Sequence, residues 1–215
     1  VTIAQWEYEQ TVDEASSVSQ AVALLHEYLQ PQSQPLHLVG HGMSGVVALL
    51  YARQHPEQVK SLTLLSVAAQ PAITWHAHYY VQRSLLPCSR TQILTQTVRS
   101  LFGSARNLQV QSLASMLDRD LESSPLLYTL YGLTPLPKGG VKMPLLVCGA
   151  ADDSVVDRHA QAEWSQWLKL GDRLWCCPSG KHFFHYFQPE QVGNQLFEFW
   201  HSTGAARFTL RSQTV

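Results

Sequence analysis

The chain has 215 residues, 45% of them hydrophobic, with 15 Lys and Arg against 16 Asp and Glu and a formal net charge of −1. That apolar content suffices for one sizeable core, and a near-neutral balance with no basic block argues against nucleic acid or an anionic membrane surface as partner. The expected partner is a small, neutral molecule.

No run of about 18 apolar residues predicts a transmembrane helix. Cys88, Cys148, Cys176 and Cys177 show neither metal-site CxxC spacing nor the density of a disulfide scaffold, so no metal is predicted and a reducing cytoplasm is the expected location. The opening Val1-Thr2-Ile3-Ala4-Gln5-Trp6 lacks the pattern of a secretory signal. It also lacks an initiator methionine and reads as the start of a fragment.

From Thr11 to Gln30, Val18, Val22, Leu25 and Leu29 recur at spacings of four, three and four, which predicts a helix with one buried face that stops at Pro31. Leu36–Val39 is a predicted strand, and Val46–Ala52 is apolar nearly all round, as in a helix buried between layers. His55-Pro56 ends it. Leu62–Val67 predicts a second buried strand, so the alternating order suggests a parallel sheet covered on both faces.

Between Pro71 and Pro137 strand signals give way to helical spacing punctuated by Pro87, Pro125 and Pro135, which predicts a helical insertion. Strand pattern resumes at Pro144–Cys148. A helix follows with Trp164, Trp167 and Leu168 on one face and Gly171 at its end. Arg173–Cys177 is the last predicted strand, and Pro189 opens a closing helix with Val192, Leu196, Phe199 and Trp200 inward. The division is a core over 1–70 and 138–203, an insertion over 71–137 and a patternless tail over 204–215.

His37-Leu38-Val39-Gly40-His41-Gly42-Met43-Ser44-Gly45 joins a buried strand to a buried helix through glycine-rich sequence, the setting of a nucleophile elbow. The phosphate-binding pattern G-x-x-x-x-G-K-S/T does not occur in the chain, and no cofactor is predicted. Here the chain resembles the α/β-hydrolase family, whose small-x-Ser-x-small pattern puts the nucleophile at the tip. Gly40 and Ser44 match the flanking small residues, and Gly42 stands at the tip. Gly149-Ala150-Ala151-Asp152 matches the family's acid turn, with Asp153 competing by adjacency, and Gly180-Lys181-His182-Phe183 matches its histidine turn. The resemblance covers Thr11 to Trp200. It implies an α/β fold, a mostly parallel sheet with helices on both faces, a helical cap over 71–137, and first strands lying upstream of Val1.

For the site, the resemblance implies Gly42 at the nucleophile position, Asp152 and His182 as acid and base, and the Met43 N–H as one oxyanion donor, its companion coming from an upstream loop. Taken singly, an aspartate after a strand can be a helix cap and a histidine among aromatics a packed one. Their order at strand ends carries the assignment. Glycine has no nucleophile, and removal of a triad serine costs about a million-fold in turnover. Ser44 is the alternative nucleophile, although the helix beginning near Met43 would carry it away from the tip.

The expected function is therefore that of an esterase-like protein of small apolar substrates, impaired at Gly42. Water activated by His182 would give slow turnover at most. A ligand-binding protein without catalysis is the alternative, and non-hydrolytic chemistry run by His182 a third. Trp75, His76, His78, Tyr79 and Tyr80 are the expected pocket lining.

Overall fold

Four parallel strands, β1 (Leu36–His41), β2 (Val59–Leu65), β5 (Leu145–Ala150) and β6 (Arg173–Cys177), pair in the order β1-β2-β5-β6 in the computed structural model of the chain. The structure describes residues 2–8, 17–103, 109–124, 128–129, 132–133 and 136–209, with side chains outside 128–133 and as far as Thr203.

Alternate residues of the central strands face opposite layers. Leu62, Leu64, Leu145 and Val147 pack on one face against α1 (Val18–Leu29), α2 (Gly42–Gln54) and Trp164. Leu65, Leu146, Cys148 and Cys177 face α7 (Phe184–Phe187) and α8 (Pro189–Thr209), through Phe184, Val192 and Phe199. Burial on both faces explains why these strands read as nearly continuous apolar runs. The helix α1 buries one stripe and is capped by Ser17, whose Oγ accepts the Gln20 N–H at 3.0 Å. In α2, by contrast, almost every residue from Gly42 to Ala52 is buried.

Three helices are inserted between β2 and β5: α3 (Trp75–Leu85), α4 (Arg90–Phe102) and α5 (Val110–Ser123). They share their own core, with Tyr79, Leu94, Val98, Leu101 and Leu117 buried together. Val155, Val156 and Ala160 join that core and tie the insertion to the turn after β5. Among the described residues no helix is long and apolar enough to cross a membrane.

Several sequence expectations are corrected in detail. The insertion also contains a short hairpin, β3 (Tyr128–Thr129) with β4 (Gly132–Leu133), whose strands are too brief to show a two-residue period. The closing helix runs on to Thr209, so the tail predicted over 204–215 is helical for its first six residues. After β5 a short helix, α6 (Arg158–Ala162), tightens into a 3-10 turn over Glu163–Gln166, which buries Trp164 but leaves Trp167 exposed. The predicted helical stretch from Thr11 to Ser16, and Pro125 and Pro135, lie outside the described residues.

The backbone approaches itself closely where β1 turns into α2. A Cβ on Gly40 would lie 2.6 Å from the Gly45 Cα, and one on Gly45 would lie 2.4 Å from Val67 Cγ2 and 2.8 Å from the Gly40 carbonyl oxygen. The tight partner of Gly40 is thus Gly45. Ser44 is exposed. Either Gly40→Ala or Gly45→Ala is expected to destabilise the protein by about 1–3 kcal/mol or more, the usual cost of overpacking. Ser44→Ala is expected to be nearly neutral, and denaturant unfolding of the three variants checks the contrast.

Candidate active site

All four sheet strands deliver their carboxyl ends to one edge, where open parallel sheets place their ligands. His41 ends β1, Ser66 follows β2, Asp153 follows β5 and His182 follows β6. Gly42 has φ of +51°, the left-handed region that glycine adopts without steric cost. A Cβ there would meet one atom within 4 Å, Nε2 of His182 at 3.7 Å. The predicted tip of the elbow therefore faces the predicted histidine.

His182 is almost fully buried. Its Nδ1 lies 3.0 Å from Oδ2 of Asp153, whose side chain is fully buried. Asp153 Oδ1 accepts the N–H groups of Val155 at 2.8 Å and Val156 at 3.2 Å. Burial pushes the Asp153 carboxyl up. The His182 hydrogen bond and charge and the two backbone donors together outweigh it and hold the pKa below the ordinary carboxylate value.

This pairing corrects the assignment of Asp152. That residue's Oδ1 accepts the Lys181 N–H at 2.9 Å, its Oδ2 lies 3.7 Å from Lys181 Nζ, and its side chain is half-exposed. The cause is the turn after β5: the Asp153 N–H bonds back to the Ala150 carbonyl, and its carboxylate closes on the next two N–H groups. An Asx turn of this kind aims Asp153 inward and leaves Asp152 on the rim.

The His182 backbone is pinned as firmly as its ring. Its carbonyl accepts from Ser66 Oγ and from His41 Nε2, both at 2.9 Å. Ser66 and Lys181 have φ of +50° and +57°, so two residues touching the histidine turn hold the left-handed conformation that costs a non-glycine residue roughly 1–2 kcal/mol. With Nδ1 donating to Asp153, Nε2 carries the lone pair. It is buried and has no hydrogen-bond partner. The Met43 N–H is among the first four of α2, which have no intrahelical acceptor, and the N-cap His41 supplies no side-chain cap. Ser44 sits one residue on, exposed on the first turn.

Gly42, Met43, Ser44, His41 and His185 line a cavity of about 1230 Å³. Trp75 and His76 line it as well, as the sequence suggested. Tyr79 is instead packed in the insertion's core, and His78 and Tyr80 are exposed. His41 and His185 were not singled out in the sequence. Their rings lie 4.6 Å apart, and that of His41 meets His182 edge-on at 4.9 Å. Among the described residues no group of three or more His, Cys, Asp or Glu is arranged to hold a metal ion.

Burial, then the charges of His182 and His185, hold His41 well below the ordinary imidazole value of 6.5, despite its bond to the His182 carbonyl. Burial and the His182 charge bring His185 down to about 4. The native protein refuses protons that the unfolded chain accepts near 6.5, so this stability is complete above that pH and lost as pH falls from 6.5 towards 4. Asp153, whose carboxyl is likewise held below its ordinary value of 3.8, adds its own loss only as pH falls below that value. The melting temperature is expected to decline between pH 7 and 4.5 and to decline less in His185→Phe; a level profile would contradict this.

Comparisons with known proteins agree with the fold. Residues 8–195 match the model of the alpha/beta hydrolase family. An uncharacterized protein of Nostoc sp. is 52% identical over 200 residues, covering 93% of this chain and 80% of that protein. One of Synechocystis sp. is 42% identical over the same shares. Among solved structures, a thermophilic esterase is similar in fold, with a TM-score of 0.67 at 18% identity over 89% of this chain and 75% of its own. The chain belongs to the alpha/beta hydrolase family.

Proposed function

We propose that the chain binds small apolar esters or amides in the site of a serine-type acyl hydrolase whose nucleophile position is held by Gly42, so that covalent acyl transfer is lost. The observation that carries this reading is the 3.7 Å from a Cβ at Gly42 to a buried, unpartnered His182 Nε2. An imidazole tied at one nitrogen and open at the other, towards the tip of the elbow, is the arrangement a general base needs.

With a serine at the tip, Oγ would attack the substrate carbonyl carbon while its proton passes to His182 Nε2. The carbonyl oxygen, now an oxyanion, would sit against the Met43 N–H. Collapse expels the alcohol, which takes the proton from His182, and water releases the acid by the same base. Glycine removes the first step and leaves the rest of the frame. Fold likeness to a thermophilic esterase supports the substrate class as analogy alone.

A second reading, binding without any turnover, is favoured by the burial of His182 Nε2, which leaves little access for a water nucleophile. The two differ in whether the native chain has residual activity. Neither gives Ser44 a role, since no hydrogen bond joins it to His182.

Gly42→Ser separates the pieces. It is expected to raise hydrolysis of p-nitrophenyl butyrate by at least about a thousand-fold, within the roughly million-fold that a triad serine is worth. It should also cost about 1–2 kcal/mol of stability, because serine must adopt the left-handed φ of the tip. Ser44→Ala in that background should leave the rate unchanged. No gain of activity in a folded Gly42→Ser protein would sink the proposal.

In the same background, Asp153→Asn is expected to lower kcat by about 10⁴, the effect of losing the carboxylate that fixes the histidine tautomer. Asp152→Asn should change it by less than about tenfold. The reverse order would return the acid role to Asp152.

A further inference from the structure

A second histidine–aspartate pair lines the same cavity, built by the inserted helices. His76 on α3 places Nε2 3.0 Å from Oδ2 of Asp120 on α5, a close pair with its N–H off the straight line, and Ser124 Oγ donates to Asp120 Oδ1 at 2.7 Å. His76 is only 6% exposed and its Nδ1 is buried without a partner. The Asp120 side chain keeps 44% of its surface open. Trp75 also hydrogen-bonds the Asp120 carboxylate through its side chain, and Leu113, Met116 and Leu117 give apolar wall beside the pair, with Arg119 lining the same cavity.

The polarity of this group is one-sided. An ionised carboxylate only accepts hydrogen bonds, and the open face of Asp120 is the part of the pair that a ligand can reach. Apolar walls with a few placed polar groups are how small-molecule sites fix orientation. Burying the Asp120 carboxylate under an apolar ligand end would strip its water and return nothing, whereas a donor on the ligand would restore a charge-assisted bond.

We propose that His76 and Asp120 form an acceptor-only anchor that selects ligands carrying a hydrogen-bond donor, a hydroxyl or an ammonium group, at the end away from the carbonyl. This narrows the ligand class of the site described above and rests on that reading. The residues contribute no chemistry to acyl transfer. They decide which end of an amphiphilic ester enters the insertion.

The test is calorimetric titration of the native Gly42 protein with three series of hexanoate esters, matched in length from three to six carbons: n-alkyl, ω-hydroxyalkyl and ω-ammonioalkyl. The best donor-bearing ester is expected to bind about 10- to 100-fold tighter than its n-alkyl match, the range of a hydrogen bond to a charged group. An advantage confined to the ammonium series assigns the anchor to cations, and one shared by both assigns it to hydroxyls as well. In Asp120→Ala and in His76→Phe the preference should shrink to about twofold. Equal binding of donor-bearing and plain esters by the native protein would overturn the anchor and leave the site's ester reading intact. A preference that survives both variants would overturn it too, while failure of every ester to bind would overturn both. The native comparison decides the matter even if one variant does not fold.

Discussion

A buried imidazole must find partners for two nitrogens, and in His182 only one of them has a partner. Nδ1 is tied to a buried carboxylate, the backbone carbonyl is held by Ser66 and His41, and Nε2 faces Gly42, the tip of the elbow. An unpaired polar atom in the interior carries a desolvation cost. Much of the local structure serves to hold that ring where it is: the Asx turn at Asp153, the left-handed backbone at Ser66 and Lys181, and the close crossing of Gly40 and Gly45. A histidine serving only as packing would not need this support. The same frame would orient a base for a nucleophile at residue 42.

Gly42 acts on stability and chemistry in opposite directions. The tip needs a positive φ because β1 enters and α2 leaves within a few ångströms of each other, and glycine meets that need freely. Serine would strain the turn and partner Nε2. Glycine at residue 42 thus avoids strain at the tip and leaves His182 Nε2 without a partner. The Asp153–His182 pair keeps its geometry beside a tip that carries no side chain. The His41–His182–His185 contacts follow from the same crowding, and burial disfavours a charge on His41 and on His185 where they pack there.

Much of this was legible in the sequence because it is local. Apolar runs of strand length, the all-round hydrophobicity of Val46–Ala52 and the glycine-rich turn each report their own surroundings, and the parallel sheet follows from their order. The choice between Asp152 and Asp153 was not legible. Neighbouring aspartates differ only in which way a turn rotates them, and that is decided by the N–H groups of Val155 and Val156. Nor could the sequence show that Gly40 packs on Gly45, a contact set by the crossing of strand and helix. His76 and Asp120, 44 residues apart on different helices, give no local sign of pairing. The hairpin at Tyr128–Leu133 was hidden by strands of two residues each.

Covalent labelling by an alkyl fluorophosphonate, followed by intact mass, tests the central claim most directly. The reagent reports only an activated nucleophile: the oxygen–phosphorus bond forms, fluoride leaves and His182 takes the proton. The account predicts no adduct on the native chain and one on Gly42→Ser, mapped to residue 42 and lost when Asp153→Asn is added. Stoichiometric labelling of the native chain at Ser44, or a folded Gly42→Ser protein that stays unlabelled, would contradict it.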